Sequence, residues 1–295
     1  MNSEELEKRV RHIQIHSRKV VDEILAGEYH SSFKGTGIEF EDIREYQYGD
    51  DVRTMDWNVT ARTGKPFVKL FNEERELTLF FLLDISASLD FGSTIMTKRE
   101  LAARVLSLLG FASANNNDNT GLILFTSKIE HYIRPKKGRS HILNMISTIL
   151  SYQAEEKGTD IKEALSFFQQ VRKKRCIIFV LSDFFDNKYK DIMKETAAKH
   201  DLVCMRFSDP HESAIVKAGM IELKDAETGT VRTIDFKDKA LRKKFAFSAE
   251  KRMTEFREFC YEIGADLINI STDDDYLHKL ILFFRARNDR SADAR

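Results

Sequence analysis

The stretch Leu77–Ser93 reads LTLFFLLDISASLDFGS, and its reading decides the fold. An apolar run from Leu77 to Leu83 stops at Asp84, after which Ser86 and Ser88 alternate with Ile85 and Ala87. A continuous apolar run, without polar residues at every second place, predicts a strand covered on both faces, the habit of parallel sheets. A carboxylate and two alternating hydroxyls at the end of such a strand require a purpose beyond packing.

Working outward, four more runs have the same character: Gly121–Thr126, Cys176–Leu181, Leu202–Phe207 and Asp266–Ile270. Amphipathic segments separate them, at Lys98–Ala114, Ser140–Leu150, Asp160–Val171 and Lys188–Lys199. Strands alternating with helices predict an α/β fold with a doubly wound, mostly parallel sheet. The segment MIELKDAETGTVRTIDF, Met220–Phe236, places two β-like runs around a turn containing Gly229, which predicts a β-hairpin insertion. A long helix from about Lys239 to Ile263 follows, then the last strand and a helix from about Asp275 to Arg287. The tail RARNDRSADAR is polar and expected to fray.

Upstream, Leu6, Val10, Ile13, Val20 and Ile24 recur at helical spacing within Glu4–Ala26, predicting an N-terminal helix that docks by one face. Glu28–Glu76 lacks periodicity but is rich in aromatics. It is expected to form an extended arm held on the main domain by Phe33, Phe40, Tyr46, Tyr48, Trp57 and Phe67. The chain thus divides into residues 1–76, helix plus arm, and 77–295, the main domain.

Lys plus Arg and Asp plus Glu each number 47 in 295 residues, so the formal net charge is zero. That leaves no general field to attract nucleic acid or an anionic membrane. Cys176, Cys204 and Cys260 sit far apart in apolar segments, as expected of reduced core thiols. The N-terminus MNSEELEKRVRHIQIH has no apolar signal core, and no apolar run approaches the roughly 18 residues of a membrane span. The expectation is a cytoplasmic protein without a membrane span.

A second buried run, CIIFVLSD, also ends in a carboxylate, Asp183. Ligands of open parallel sheets gather beyond the carboxyl ends of the strands, so Asp84 and Asp183 belong on one edge. Ser86, Ser88 and Thr159, the last in a Gly158-Thr159-Asp160 loop, add hydroxyl oxygens. Asp160 with Glu163 forms a capping box for the next helix. Hard oxygen donors of this kind suit Mg²⁺ first, with Mn²⁺ or Ca²⁺ possible, rather than zinc. Two carboxylates just balance a divalent cation, and neutral hydroxyls leave it electrophilic toward an outside carboxylate.

The order D-x-S-x-S, then Thr in a G-T-D loop, then Asp after another strand resembles the metal-ion-dependent adhesion site of von Willebrand factor A domains. The matching positions are Asp84, Ser86, Ser88, Thr159 and Asp183. The upstream segment FKGTGIEFEDIREYQYGDDVRTMDWNVTARTGKPFVKLFNEERE is similar to a bacterial von Willebrand factor A-like family, number fifty-eight among the domains of unknown function. The resemblance implies association with MoxR-type AAA+ ATPases, and a metal-dependent adaptor that captures a partner's acidic residue.

Two other readings belong beside it. Arg44, Asp50, Asp51, Arg53, Asp56, Trp57 and Arg62 form either a buried ion-pair network pinning the arm or a partner-binding surface. The acidic edge could instead serve a metal-dependent hydrolase. An aspartyl phosphatase, however, would need a second Asp where Ser86 stands, and neither G-x-S-x-G nor G-x-x-x-x-G-K-[ST] occurs. The expectation is therefore a binding protein and not an enzyme. The basic run RPKKGR, Arg134–Arg139, reads as a solvated loop, and His131, His141 and His200 as surface or rim residues.

Overall fold

The computed structural model describes residues 3–21, 29, 39–72, 77–186, 188–213, 219–224 and 230–293. Its ten strands are β1 (Glu39–Glu45), β2 (Phe67–Asn72), β3 (Thr78–Asp84), β4 (Asn119–Phe125), β5 (Ile129–Lys136), β6 (Ile177–Ser182), β7 (Asp201–Ser208), β8 (Met220–Lys224), β9 (Val231–Asp235) and β10 (Asp266–Ser271). Six of them form the central sheet in the order β10-β7-β6-β3-β4-β5. Five run parallel, and β5 is antiparallel to β4 at one edge.

The quoted stretch explains this sheet. Every residue of β3 is buried. Leu79, Phe81 and Leu83 enter the core on one face, and Phe80 and Leu82 enter the core on the other. Each such side chain contributes roughly 1.5–3 kcal/mol on leaving water. Helices Ser3–Val20, Lys98–Asn115, Arg139–Ser151 and Tyr276–Asp293 lend residues to the first core. Helices Ile161–Val171, Lys190–Lys199 and Lys239–Glu262 lend residues to the second. Gly121 in β4 allows this closeness, because a Cβ there would lie 2.8 Å from a Phe80 ring carbon.

After β3 the chain passes to β4 on one side, and it returns on the other side as β6. The neighbouring pair β3 and β6 is therefore the topological switch point, where a crevice opens beyond the strand ends. Register pairs Leu83 with Leu181, so Asp84 lies beside Ser182 and Asp183 projects one residue further.

Several expectations need correction. β5 contains Arg134–Lys136 of the basic run, so that segment is an edge strand rather than a loop. An edge tolerates Pro135, which has no N–H to donate. The tail expected to fray from Arg285 is helical over most of its length, and the last helix runs past Arg287 to Asp293. Arg287 is tied to Asp201 and Asp266, and Arg290 reaches Asp266 at 2.6 Å. His200 is buried against the edge of the Phe168 ring, not at the rim. The β8–β9 hairpin forms as expected, while Gly229 lies outside the described residues.

The N-terminal helix does dock, through Ile13 and Val20 in the first core and a 2.6 Å contact between the Ser17 and Ser107 hydroxyls. The arm is more structured than expected. β1 and β2 pair antiparallel, and the short helix Trp57–Thr63 is capped by Asp56, which accepts from Asn58 N and Val59 N. Tyr48 and Trp57 point outward, 103% and 68% exposed, so neither anchors the arm. Tyr46 and Phe67 are half-buried, and the side chains of Phe33 and Phe40 lie outside the described residues. The three cysteines are free and buried. No helix among the described residues is long and apolar enough to cross a membrane.

Candidate metal centre

Asp84, Ser86, Ser88, Thr159 and Asp183 gather at the switch point. Asp84 turns its carboxylate back onto the chain, where Oδ1 accepts from Ser86 N at 2.9 Å. That turn brings the Ser86 and Ser88 hydroxyls to 3.0 Å from each other. Thr159 arrives from the loop before helix Ile161–Val171 and donates its hydroxyl to Asp84 Oδ2 at 3.4 Å. Two backbone bonds hold that loop: Asp160 N donates to Thr126 O at 2.9 Å and Ala87 N to Lys157 O at 3.2 Å. Asp160 also caps its helix, accepting from Glu163 N.

Asp183 is presented by a strained turn. Phe184 follows it at φ 56°, a left-handed conformation that is an outlier for a bulky side chain. Packing holds the strain in place, with the Phe184 ring 4.5 Å from that of Phe256 and 5.9 Å from that of Tyr189.

Three residues of this centre escaped the sequence reading. Ser182 donates its hydroxyl to Asp84 Oδ2 at 2.7 Å. Lys98, at the start of helix Lys98–Asn115, is fully buried, with Nζ 2.9 Å from Asp183 Oδ2 and 2.5 Å from Glu212 Oε1. Glu212 is fixed in turn by Asp209 N, which donates to its Oε2 at 3.0 Å. No periodicity marks Lys98, because a charged residue in a first helical turn reads as solvated.

The electrostatics of the centre turn on Asp84 and Lys98. Burial first, and then the charge of Asp183, push Asp84 up to about 7 despite the Ser182 and Ser86 donors. For Lys98 burial acts the other way, but Asp183 and Glu212 outweigh it and raise the pKa, so the ammonium stays charged. Three carboxylates, Asp84, Asp183 and Glu212, thus lie near the Lys98 ammonium, and the half-buried Arg206 guanidinium adds its field at Glu212 and Asp183. Asp84 and Asp183 together match the charge of a divalent ion, and the hydroxyls of Ser86, Ser88 and Thr159 are hard donors for one. Among the described residues no three His, Cys, Asp or Glu side chains converge as a metal cluster. The fit therefore rests on two carboxylates completed by hydroxyls.

Beside this centre lies a second polar group that the sequence reading also missed. Asp209, directly after β7, accepts from Ser93 N at 2.8 Å, Ser93 Oγ at 2.5 Å, Thr272 Oγ1 at 2.8 Å and His211 N at 3.0 Å. Its signal was present: LVCMRFSD is a third apolar run ending in a carboxylate. His211 Nδ1 lies 2.6 Å from Ser93 Oγ. The arrangement contains Ser, His and Asp but runs in the wrong sense for a nucleophile. Asp209 is held below the usual carboxylate range, because its donors outweigh its burial. Ser93 therefore donates its hydroxyl hydrogen to Asp209 rather than to His211, which is not the order in which a histidine activates a serine.

The residues of GDDVRTMDW are not joined to the strand ends. Arg44 grips Asp50 in a two-pronged pair, both contacts at 2.8 Å. Asp51 and Asp56 cap short helices, and Asp56 also lies 3.7 Å from Lys69. Arg53 and Arg62 are exposed, as is Trp57. A buried network pinning the arm is therefore not what these side chains build.

With the geometry in hand, comparison with known proteins gives the affiliation. The family described as "Protein of unknown function DUF58" matches residues 42–255. The chain belongs to this family. An uncharacterized protein of Mycobacterium tuberculosis, Rv1480, is 30% identical over 281 residues, covering 94% of this chain and 88% of its own. Among solved structures, the conserved hypothetical protein BatB of Bacteroides thetaiotaomicron is similar, with TM-score 0.47 and 15% identity over 72% of this chain and 98% of that one. The SpRpn10 VWA domain is similar at TM-score 0.40 and 11% identity, over 70% and 94% of the two chains. The DUF58 match begins within β1, includes the switch-point centre and ends within helix Lys239–Glu262.

Proposed function

We propose that this DUF58 protein is a metal-dependent interaction module. Asp84 and Asp183 hold a divalent cation, Mg²⁺ by the hardness of its donors, with oxygens from Ser86, Ser88 and Thr159, and a partner's carboxylate takes the remaining position. The observation that carries this reading is the meeting of these oxygen donors at the switch point, where Asp84 Oδ2 accepts from Thr159 at 3.4 Å and the Ser86 and Ser88 hydroxyls lie 3.0 Å apart. When bound, the ion supplies an electrophilic site for an outside acid group, since two carboxylates only neutralise it. The loops that carry the centre also expose Phe91, Ile95 and Phe185, an apolar surround suited to a protein rather than a small solute. A MoxR-type AAA+ ATPase is proposed as the working partner, in the cytoplasm, on the family resemblance of the sequence. The exposed Trp57, Arg53 and Arg62 of the arm are proposed as a second partner contact.

Titration calorimetry with Mg²⁺ and Mn²⁺ tests the metal. Heat of binding is expected for the native chain and its loss for Asp84→Ala and Ser86→Ala. No heat in the native chain or in Lys98→Met, where the buried ammonium is removed, rejects the metal. Capture of a purified MoxR-type ATPase is expected with Mg²⁺ and not with EDTA; capture indifferent to both EDTA and Asp84→Ala rejects the adaptor reading. Phosphoester turnover by the pure protein, lost in Asp84→Asn, would reassign the centre to a hydrolase.

A further inference from the structure

Lys98 stands where a cation is least expected. It opens a helix, next to the positive end of the macrodipole, and its side chain is wholly removed from water. Only its two carboxylate partners make that position tenable, at 2.9 Å for Asp183 and 2.5 Å for Glu212. One of the two, Asp183, is a ligand of the proposed metal. The other is not: Glu212 sits on the short helix after β7 and is braced by Asp209 N.

The contacts divide into two sets, with the Arg206 guanidinium acting on one carboxylate of each, Glu212 and Asp183. Lys98 balances Glu212, and a divalent ion balances Asp84 and Asp183. In the structure Lys98 straddles the sets, bonded to a member of each. We propose that Lys98 is a resident counter-cation that competes with the divalent ion for Asp183, and that Glu212 is the seat to which its ammonium yields. This rests on the metal reading above and concerns how tightly that metal is held. A competitor within the centre makes binding of the bare ion weak, so that the partner's carboxylate is needed to retain it. Metal and partner then bind together, as two ligands linked by a coupling free energy.

The test is calorimetric titration of Mn²⁺ into the full chain at fixed pH 7.5, comparing native, Lys98→Met, Glu212→Gln and Asp84→Ala proteins. Lys98→Met is expected to bind Mn²⁺ at least about tenfold more tightly, because a repelling charge next to the ion is gone. Glu212→Gln is expected to bind more weakly, because the ammonium then leans wholly on Asp183. Opposite signs from two neighbouring substitutions cannot come from general damage to the fold, which would weaken both. Should Lys98→Met fail to fold, the charge-balanced Lys98→Met/Glu212→Gln chain takes its place and is expected to bind more tightly than the native chain. Binding in Lys98→Met alone, with none in the native chain, also supports the proposal. Equal or weaker affinity without Lys98, in a chain whose binding is still lost in Asp84→Ala, overturns the role of Lys98 and leaves the metal reading standing. Absence of binding in every variant overturns both.

Discussion

Asp84 and Asp209 are both buried carboxylates at the carboxyl edge of one sheet, 0% and 1% exposed, yet they are driven in opposite directions. Asp84 is pushed up to about 7, by burial and by the neighbouring Asp183 charge. Asp209 feels burial too, but the donors on Ser93, His211 and Thr272 outweigh it and hold the group ionised. Burial alone therefore does not decide whether a carboxylate is charged; its donors and neighbouring charges do. Asp209 is a satisfied clamp that ties the loop after β3 to the ends of β7 and β10. Asp84 has donors too, from Ser86, Thr159 and Ser182, but burial and the Asp183 charge outweigh them, so it holds its proton more strongly.

The largest expected effect is at the clamp. Asp209→Asn keeps the shape but turns an amide donor toward hydroxyls and an N–H that need an acceptor. We expect a loss of about 2–4 kcal/mol, seen as a lower Tm, with faster hydrogen exchange through residues 91–97. If the Tm does not move, the clamp is not structural and the comparison fails. Asp84→Asn is expected to act in the other direction. The raised pKa of Asp84 means that its stabilising contribution is complete near pH 4 and is lost as pH rises through about 7. At pH 8, without metal, Asp84→Asn should therefore raise stability by roughly 1–2 kcal/mol, measured by denaturant unfolding. Equal losses in both variants would erase the contrast.

A third buried group sharpens the lesson at smaller amplitude. His200 is pushed down to about 4, by burial first and then by the charges of Arg172, Lys199 and Arg175. Its contribution to stability is present above pH 6.5 and lost as pH falls toward 4, opposite in sign to that of Asp84 across the same window. His200→Gln should flatten the slope of stability against pH there by up to about one proton, or about 1.4 kcal/mol per pH unit. An unchanged slope would show that His200 titrates normally when folded. The smallest stability effect is expected at Trp57→Ala, within about 0.5 kcal/mol because the side chain is exposed. Weaker capture of the ATPase by this variant would mark the arm as a contact. Normal capture would confine recognition to the strand ends.

Much of this molecule is visible in its sequence, for a local reason. Apolar runs such as Leu79–Leu83 and Ile177–Leu181 mark strands covered on both faces, and the helical stripes between them mark the crossovers. The rule that ligands gather at the carboxyl edge then places Asp84 and Asp183 together without coordinates. The family, too, was implied by the resemblance of the segment FKGTGIEFEDIREYQYGDDVRTMDWNVTARTGKPFVKLFNEERE, and the match over residues 42–255 shows it. β5 was harder to see, because IEHYIRPK alternates weakly and its charged end looks like a loop until β4 offers it an edge.

What only the tertiary structure decided is which side chains meet. Lys98 meets Asp183 across 85 residues and Glu212 across 114, and Ser93 meets Asp209 across 116. Such pairings depend on crossovers that bring separate loops to one edge, so no spacing along the chain encodes them. Residue types and periodicity determined the sheet, its two cores and the acidic strand ends. Charge balance at those ends was set by three-dimensional neighbours, because a carboxylate responds to the donors and cations within a few ångströms of it, wherever in the chain they arise.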